Sequence, residues 1–232
     1  MQIKDLPAAA VRHPRMAMEA IAGVELPEWD LVAEQMDRVE LPTGERLMTP
    51  GEPDPYVYFA TSGLIKVRLN PQPSDPSLGV TLFLMEEGDL FAAPTALQLP
   101  GVQRAVLRGL HPRSSYLAAV DRDLSMHTMV ALEPSVVLRC PGAVITYLAE
   151  RHQPWAQLLA TVALLNNAAL AQDLASQKFS AEQRYRTLAT NRPDLVRRLP
   201  QREIASLLNV TESALSRIAK RVRNGNGETQ PT

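Results

Sequence analysis

Between Val39 and about Pro141, apolar residues come in short runs separated by turn residues, a pattern that predicts β-strands. The runs are Tyr56–Ala60, Leu64–Leu69, Val80–Met85, Thr128–Leu132 and Val136–Arg139. Gly44, Gly51, Gly63, Gly79 and Gly88 separate them, and Asn70 to Gly79 (NPQPSDPSLG) reads as a proline-rich hairpin tip. Regularly spaced short strands predict a small antiparallel barrel or jelly roll. Residues 92–126 break the rhythm and read as an insertion. From Gly142 to Gln177 the period becomes helical, interrupted near Pro154, which suits the first turn of a second helical segment.

In that second segment Trp155, Leu158, Val162, Leu165, Ala169 and Gln172 alternate at spacings of three and four, which makes a seam that can pair with a second copy of the helix. The same stripe could instead pack on the chain's own strands. Asn166 and Asn167 lie beside it, placed either to set register in a dimer or to face water.

The sharpest local pattern is Leu199 to Val222, LPQREIASLLNVTESALSRIAKRV. Apolar Ile204, Leu208, Val210, Leu215 and Ile218 fall where two short helices bury a mutual contact, and small Ala205 permits a close crossing. Asn209 falls at the turn, where a left-handed backbone is needed and asparagine tolerates it, and Thr211 suits an N-cap. A helix from about Glu212 to Arg223 then projects Glu212, Ser213, Ser216 and Arg217 toward base edges in a major groove, with arginine suited to the O6 and N7 of guanine. Gln201, Arg202, Thr211, Lys220 and Arg221 are placed for phosphate contacts. The alternative is a helical hairpin with a solvated basic face.

Charge supports nucleic acid only locally. The whole chain carries 24 basic and 25 acidic residues. Between Lys178 and Arg223, however, eleven basic residues face four acidic ones, a net of +7, and the remainder is at −8. A basic module joined to an acidic one predicts that the carboxyl-terminal part meets a polyanion. The 232 residues, 45% apolar, suffice for a substantial core. No uninterrupted apolar run reaches ~20 residues and Met1 to Arg15 lacks a leader-like segment, so a cytoplasmic protein without membrane contact is expected. Cys140 is the one cysteine, and His13, His111, His127 and His152 are scattered, which argues against a metal site and against a cupin-like metalloenzyme. The expectation is a protein that is not an enzyme.

The chain resembles the CRP/FNR family of bacterial transcription regulators. LPTGERLMTPGE (Leu41 to Glu52), YVYFATSGLIKV (Tyr56 to Val67), GVTLFLMEEGDLF (Gly79 to Phe91) and TMVALEPSVVLRCP (Thr128 to Pro141) are similar to the family's barrel strands. FSAEQRYRTLA (Phe179 to Ala189) resembles the hinge and first helix of its DNA-binding domain, with Ser180 as a cap, and Ser216-Arg217 matches the recognition helix of the FNR branch. Glu212 and Ser213 replace the Arg-Glu pair of the cyclic-AMP branch.

The resemblance implies an α+β chain in three parts: a cyclic-nucleotide-binding-like barrel over 1–141, a dimerisation helix over 142–178 and a winged helix-turn-helix over 179–232. It also implies a homodimer on a pseudo-palindromic double-stranded DNA site, with RNA polymerase as a further partner. The ribose-binding carboxylate of cyclic-nucleotide relatives is replaced by Ala93, although Arg104, or Arg113 with Ser114, could imitate their phosphate-binding pair. No amino-terminal cysteine cluster exists for iron–sulfur sensing, and haem would have only isolated ligands. No cofactor is expected. The alternative reading is a small-ligand sensor, for a cyclic nucleotide or haem, that acts through protein contacts.

Overall fold

A computed structural model describes residues 13–70, 75, 79–97, 109–110 and 124–225. The chain divides into two compact units, Met1–Leu165 and Asn166–Thr232.

Eight strands are described in the first unit: β1 (Asp37–Leu41), β2 (Arg46–Met48), β3 (Tyr56–Ser62), β4 (Leu64–Leu69), β5 (Val80–Glu86), β6 (Leu90–Ala92), β7 (His127–Ala131) and β8 (Ser135–Pro141). They form two four-stranded sheets, ordered β1-β8-β3-β6 and β2-β7-β4-β5, with every pairing antiparallel. Among the described residues no ladder joins the two sheets, so the expected barrel is not closed.

Alternation along β7 puts His127, Met129 and Ala131 inward, where they join Leu41, Met48, Tyr58, Ala60, Ile65, Val67, Met85, Phe91 and Val137. At roughly 25 cal/mol per Å² of apolar surface, this core supplies the main drive for folding of the sheets. A four-residue 3-10 helix, Pro94–Leu97, follows β6, and Leu124 bridges to Pro53. Most of the expected insertion over 92–126 lies outside the described residues, as do Arg104, Arg113 and Ser114.

The other face of the first sheet carries helices. These are α1 (Pro14–Ala22), α2 (Trp29–Glu34), α3 (Gly142–Arg151) and the first turns of α4 (Gln153–Ser176). Gly142 is required where α3 begins, because a Cβ there would lie 2.0 Å from the Ala96 carbonyl oxygen. Pro154 sits in the first turn of α4, as its sequence position suggested.

The seam residues of α4 divide. Trp155 is fully buried, stacks on Trp29 with ring centres 6.0 Å apart, and donates its Nε1–H to the Pro27 carbonyl at 2.8 Å. Leu158 is buried in the same cluster and Val162 packs against it. These positions therefore serve the chain's own core, a correction to their assignment to a partner helix. The physical reason is α1 and α2, whose packing on α4 was not read from the sequence.

Beyond Val162 the helix is uncovered: from Ala163 to Ala175 every described side chain is exposed, including Leu164, Leu165, Ala169, Gln172 and Leu174. By length and composition α4 is apolar enough to cross a bilayer, contrary to the expectation from uninterrupted runs. Its uncovered part, about 13 residues or roughly 20 Å, is shorter than the ~30 Å of a hydrocarbon core and carries Asn166 and Asn167.

Candidate nucleic-acid interface

The second unit contains the end of α4 and the helices α5 (Ala181–Asn191), α6 (Pro193–Arg198), α7 (Gln201–Leu207) and α8 (Glu212–Gly225). Ser180 begins α5 with a reciprocal cap: its Oγ accepts from the Gln183 backbone N–H at 3.2 Å, while the Ser180 N–H donates to the Gln183 side chain at 2.9 Å. Pro193 occupies the first turn of α6, and the Arg192 guanidinium hydrogen-bonds Asp194, holding its carboxyl down to about 2. Among the described residues this unit has no strand, so the expected wing has no counterpart in it.

The turn between α7 and α8 is built by backbone hydrogen bonds. The Val210 N–H donates to the Ala205 carbonyl at 2.9 Å and the Asn209 N–H to the Ser206 carbonyl at 3.2 Å, a Schellman closure whose pivot must be left-handed. Asn209 takes that role at φ 51. Thr211 then starts α8, its Oγ1 accepting from the Ala214 N–H at 3.2 Å. Ile204, Ala205 and Leu208 of this first helix and turn are buried with Leu215, Ile218 and Val222 of α8, joined by Leu195 and Leu199. Those buried positions fix which side of α8 faces out.

Glu212, Ser213, Ser216, Arg217, Lys220 and Arg221 are all exposed on α8, and Gln201, Arg202 and Thr211 are exposed on or beside α7. The structure thus brings the expected base-contacting and phosphate-contacting residues together at one exposed helix pair. Several are already engaged. Thr211 is committed to its cap, the Arg217 Nε donates to the Ser213 carbonyl at 3.4 Å, and Arg202 lies 3.6 Å from Glu203.

The sequence reading missed two neighbours: Glu182 of α5 pairs with Arg221 at 3.0 Å and with Arg186 at 3.4 Å. An acid one turn before an arginine on a helix is visible in sequence, but the approach of α8 to it is not.

The residues weighed as candidate metal or effector groups lie outside this helix pair. Among the described residues no group of three or more His, Cys, Asp or Glu side chains is placed to hold a metal ion. Cys140 is buried, and burial pushes its thiol up to about 11, far from a reactive thiolate. Ala93 is fully buried and presents only a methyl where a ribose-binding carboxylate was sought. His127 is buried against Phe91 at 5.3 Å, and burial lowers its imidazole to about 4.

No protein-family model matches the chain and no curated protein matches its sequence. Solved structures do match. A protein from Eubacterium rectale, described as a transcriptional regulator of the CRP/FNR family, superposes with a TM-score of 0.63 at 9% identity, covering 84% of this chain and 82% of its own. FixK2 from Bradyrhizobium japonicum gives 0.58 at 14% identity, with 82% and 86% covered. The c-di-GMP responsive global regulator CLP from Xanthomonas campestris gives 0.55 at 14%, with 85% and 91% covered. The fold is therefore that of CRP/FNR regulators: a mixed α/β chain of antiparallel sheets and helices.

Proposed function

We propose that this protein is a sequence-specific, double-stranded DNA-binding transcription regulator of CRP/FNR type, not an enzyme, acting in the cytoplasm as a homodimer. The observation that carries the reading is the outward face of α8. Leu215, Ile218 and Val222 anchor the helix, leaving Arg217, Lys220 and Arg221 exposed on a module of net charge +7. Such a face attracts a polyanion by counterion release and can insert in a major groove about 12 Å wide. Glu212, Ser213, Ser216 and Arg217 read base edges, whereas Gln201, Arg202, Thr211 and Lys220 set register on phosphates.

Dimerisation rests on the uncovered apolar part of α4, where Leu164, Leu165 and Leu174 are more than half exposed. Leu165, Ala169 and Gln172 are the members of the seam that remain for it. Two copies would present two α8 helices to a two-fold-symmetric site with half-sites about 34 Å apart. RNA polymerase is the further partner of such a regulator. Control by cyclic AMP or an iron–sulfur cluster is not part of the proposal, given Ala93 and the single cysteine. The domain plan is a sensor part over 1–141, a helical segment over 142–178 whose stretch beyond Val162 does the pairing, and a DNA-binding part over 179–232.

The test is selection of binding sites from random duplex DNA, followed by titration of the selected site and its variants. Arg217→Ala is expected to cost about 1 to 3 kcal/mol at one base position and relax preference there. Lys220→Ala should weaken binding to all sequences alike. Retention of full discrimination by Arg217→Ala would remove that residue from base reading.

A further inference from the structure

We infer that Glu182 sets the DNA affinity of this protein by holding Arg221 as an internal substitute for a phosphate. The inference rests on the DNA-binding reading above and assigns a role to a residue outside the expected contact set. The carboxylate of Glu182 stands between two arginines, with Oε2 at 3.0 Å from the Arg221 Nε and Oε1 at 3.4 Å from an Arg186 terminal nitrogen. One arginine lies on α8 beside the exposed base-facing residues, and the other is one turn along α5.

The pair borders an open groove of about 440 Å³ lined by Ser180, Glu182, Gln183, Arg186, Ile218 and Arg221, so solvent and a polyanion can reach it. Arg221 keeps most of its side chain exposed, 64% against 34% for Glu182. The ion pair is therefore solvated and weak enough for an incoming phosphate to compete with it.

A carboxylate and a phosphate oxygen ask the same thing of a guanidinium, charge-assisted N–H donation. A cation already neutralised by Glu182 displaces fewer of the counterions condensed on the DNA, and so adds less to the salt-dependent part of binding. Arg221 should consequently count as less than one phosphate contact in the native protein. This revises its assignment as an ordinary phosphate contact. The restraint acts equally on every DNA sequence, because phosphates carry no sequence information. Glu182 thereby suppresses non-specific binding while Arg217 and its neighbours keep their selectivity.

The experiment is a fluorescence-anisotropy titration of the full-length protein with a random-sequence duplex between 50 and 200 mM salt, comparing native protein, Glu182→Gln, Arg221→Ala and the double variant. Glutamine keeps a hydrogen-bond acceptor and removes the charge, and coincident thermal melting curves establish that the fold is retained. Glu182→Gln is expected to bind more tightly at 50 mM and to steepen the salt dependence by about one phosphate per protomer, an extra three- to four-fold loss for each protomer across this range, or about twelve-fold for a bound dimer. Arg221→Ala alone should change the slope little, and the double variant should match it.

Equal slopes for native protein and Glu182→Gln, with binding intact, would overturn the inference alone. The same gain in the double variant as in Glu182→Gln would also overturn it, since the effect would not run through Arg221. Failure of every form to bind duplex DNA would overturn the regulator reading and this inference together.

Discussion

Asn209 holds φ 51 at the pivot between α7 and α8, a conformation that costs most side-chain-bearing residues about 1 to 2 kcal/mol. Asn209→Ala should lower stability by about 1 kcal/mol, whereas Asn209→Gly should stay within a few tenths, as read from thermal unfolding. A second residue-scale prediction concerns acid. His127 is buried and neutral, its imidazole lowered from 6.5 to about 4 by desolvation. Between those values the unfolded chain binds a proton that the folded chain refuses, so stability is complete above about 6.5 and falls as pH drops toward 4. The loss amounts to roughly 3 kcal/mol at most.

Asp54 runs in the opposite sense. Burial raises its carboxyl, although it accepts from the Tyr58 hydroxyl at 2.9 Å, and its contribution therefore grows as pH falls. His127→Phe should flatten the stability profile between pH 6.5 and 4 in denaturant titrations, and an unchanged acid limb would assign that limb to other groups.

At the scale of elements, α4 divides along its length into a buried root and an uncovered apolar stretch. Trp155→Ala should cost about 3 to 5 kcal/mol because it empties a closed site against Trp29 and Pro27. Leu165→Glu, half exposed, should leave folding intact and convert the proposed dimer to monomer in sedimentation, with a large loss of DNA affinity.

The heptad-like spacing over Trp155 to Gln172 was legible, but its division was not. Period alone says that a face is buried and does not say by whom, and the answer lay more than a hundred residues earlier in α1 and α2. The strands β3, β4, β5, β7 and β8 were legible because their runs are apolar and end at turn residues, Gly63, Gly79 and Gly88 for the first three and Glu133-Pro134 between the last two. β1, β2 and β6 were not: β1 carries Asp37, Arg38 and Glu40, and β2 and β6 span three residues each. The α7–α8 turn was the most legible feature of all, since a buried apolar set, a small residue, Asn209 and Thr211 each restrict the backbone locally.

Across the whole molecule, opposite charges are gathered in different parts of one chain, +7 between Lys178 and Arg223 and −8 in the remainder. Binding to duplex DNA should accordingly fall by about 10³-fold or more between 50 and 200 mM salt if two copies together make at least six phosphate contacts. The Glu182 pair was invisible at this scale and in the sequence, because its partner on α8 is brought near only by the packing of α8 against α5. The effector question sits at this scale too, and here a feature of the core becomes useful. The chain has two tryptophans, Trp155 at the root of α4 and Trp29 of α2 stacked on it with their rings parallel to within 6°. Excitation of the native protein at 295 nm thus interrogates a single spot. Any small molecule or duplex that shifts the seat of α4 should announce itself as a change in emission or near-ultraviolet dichroism, with no label attached.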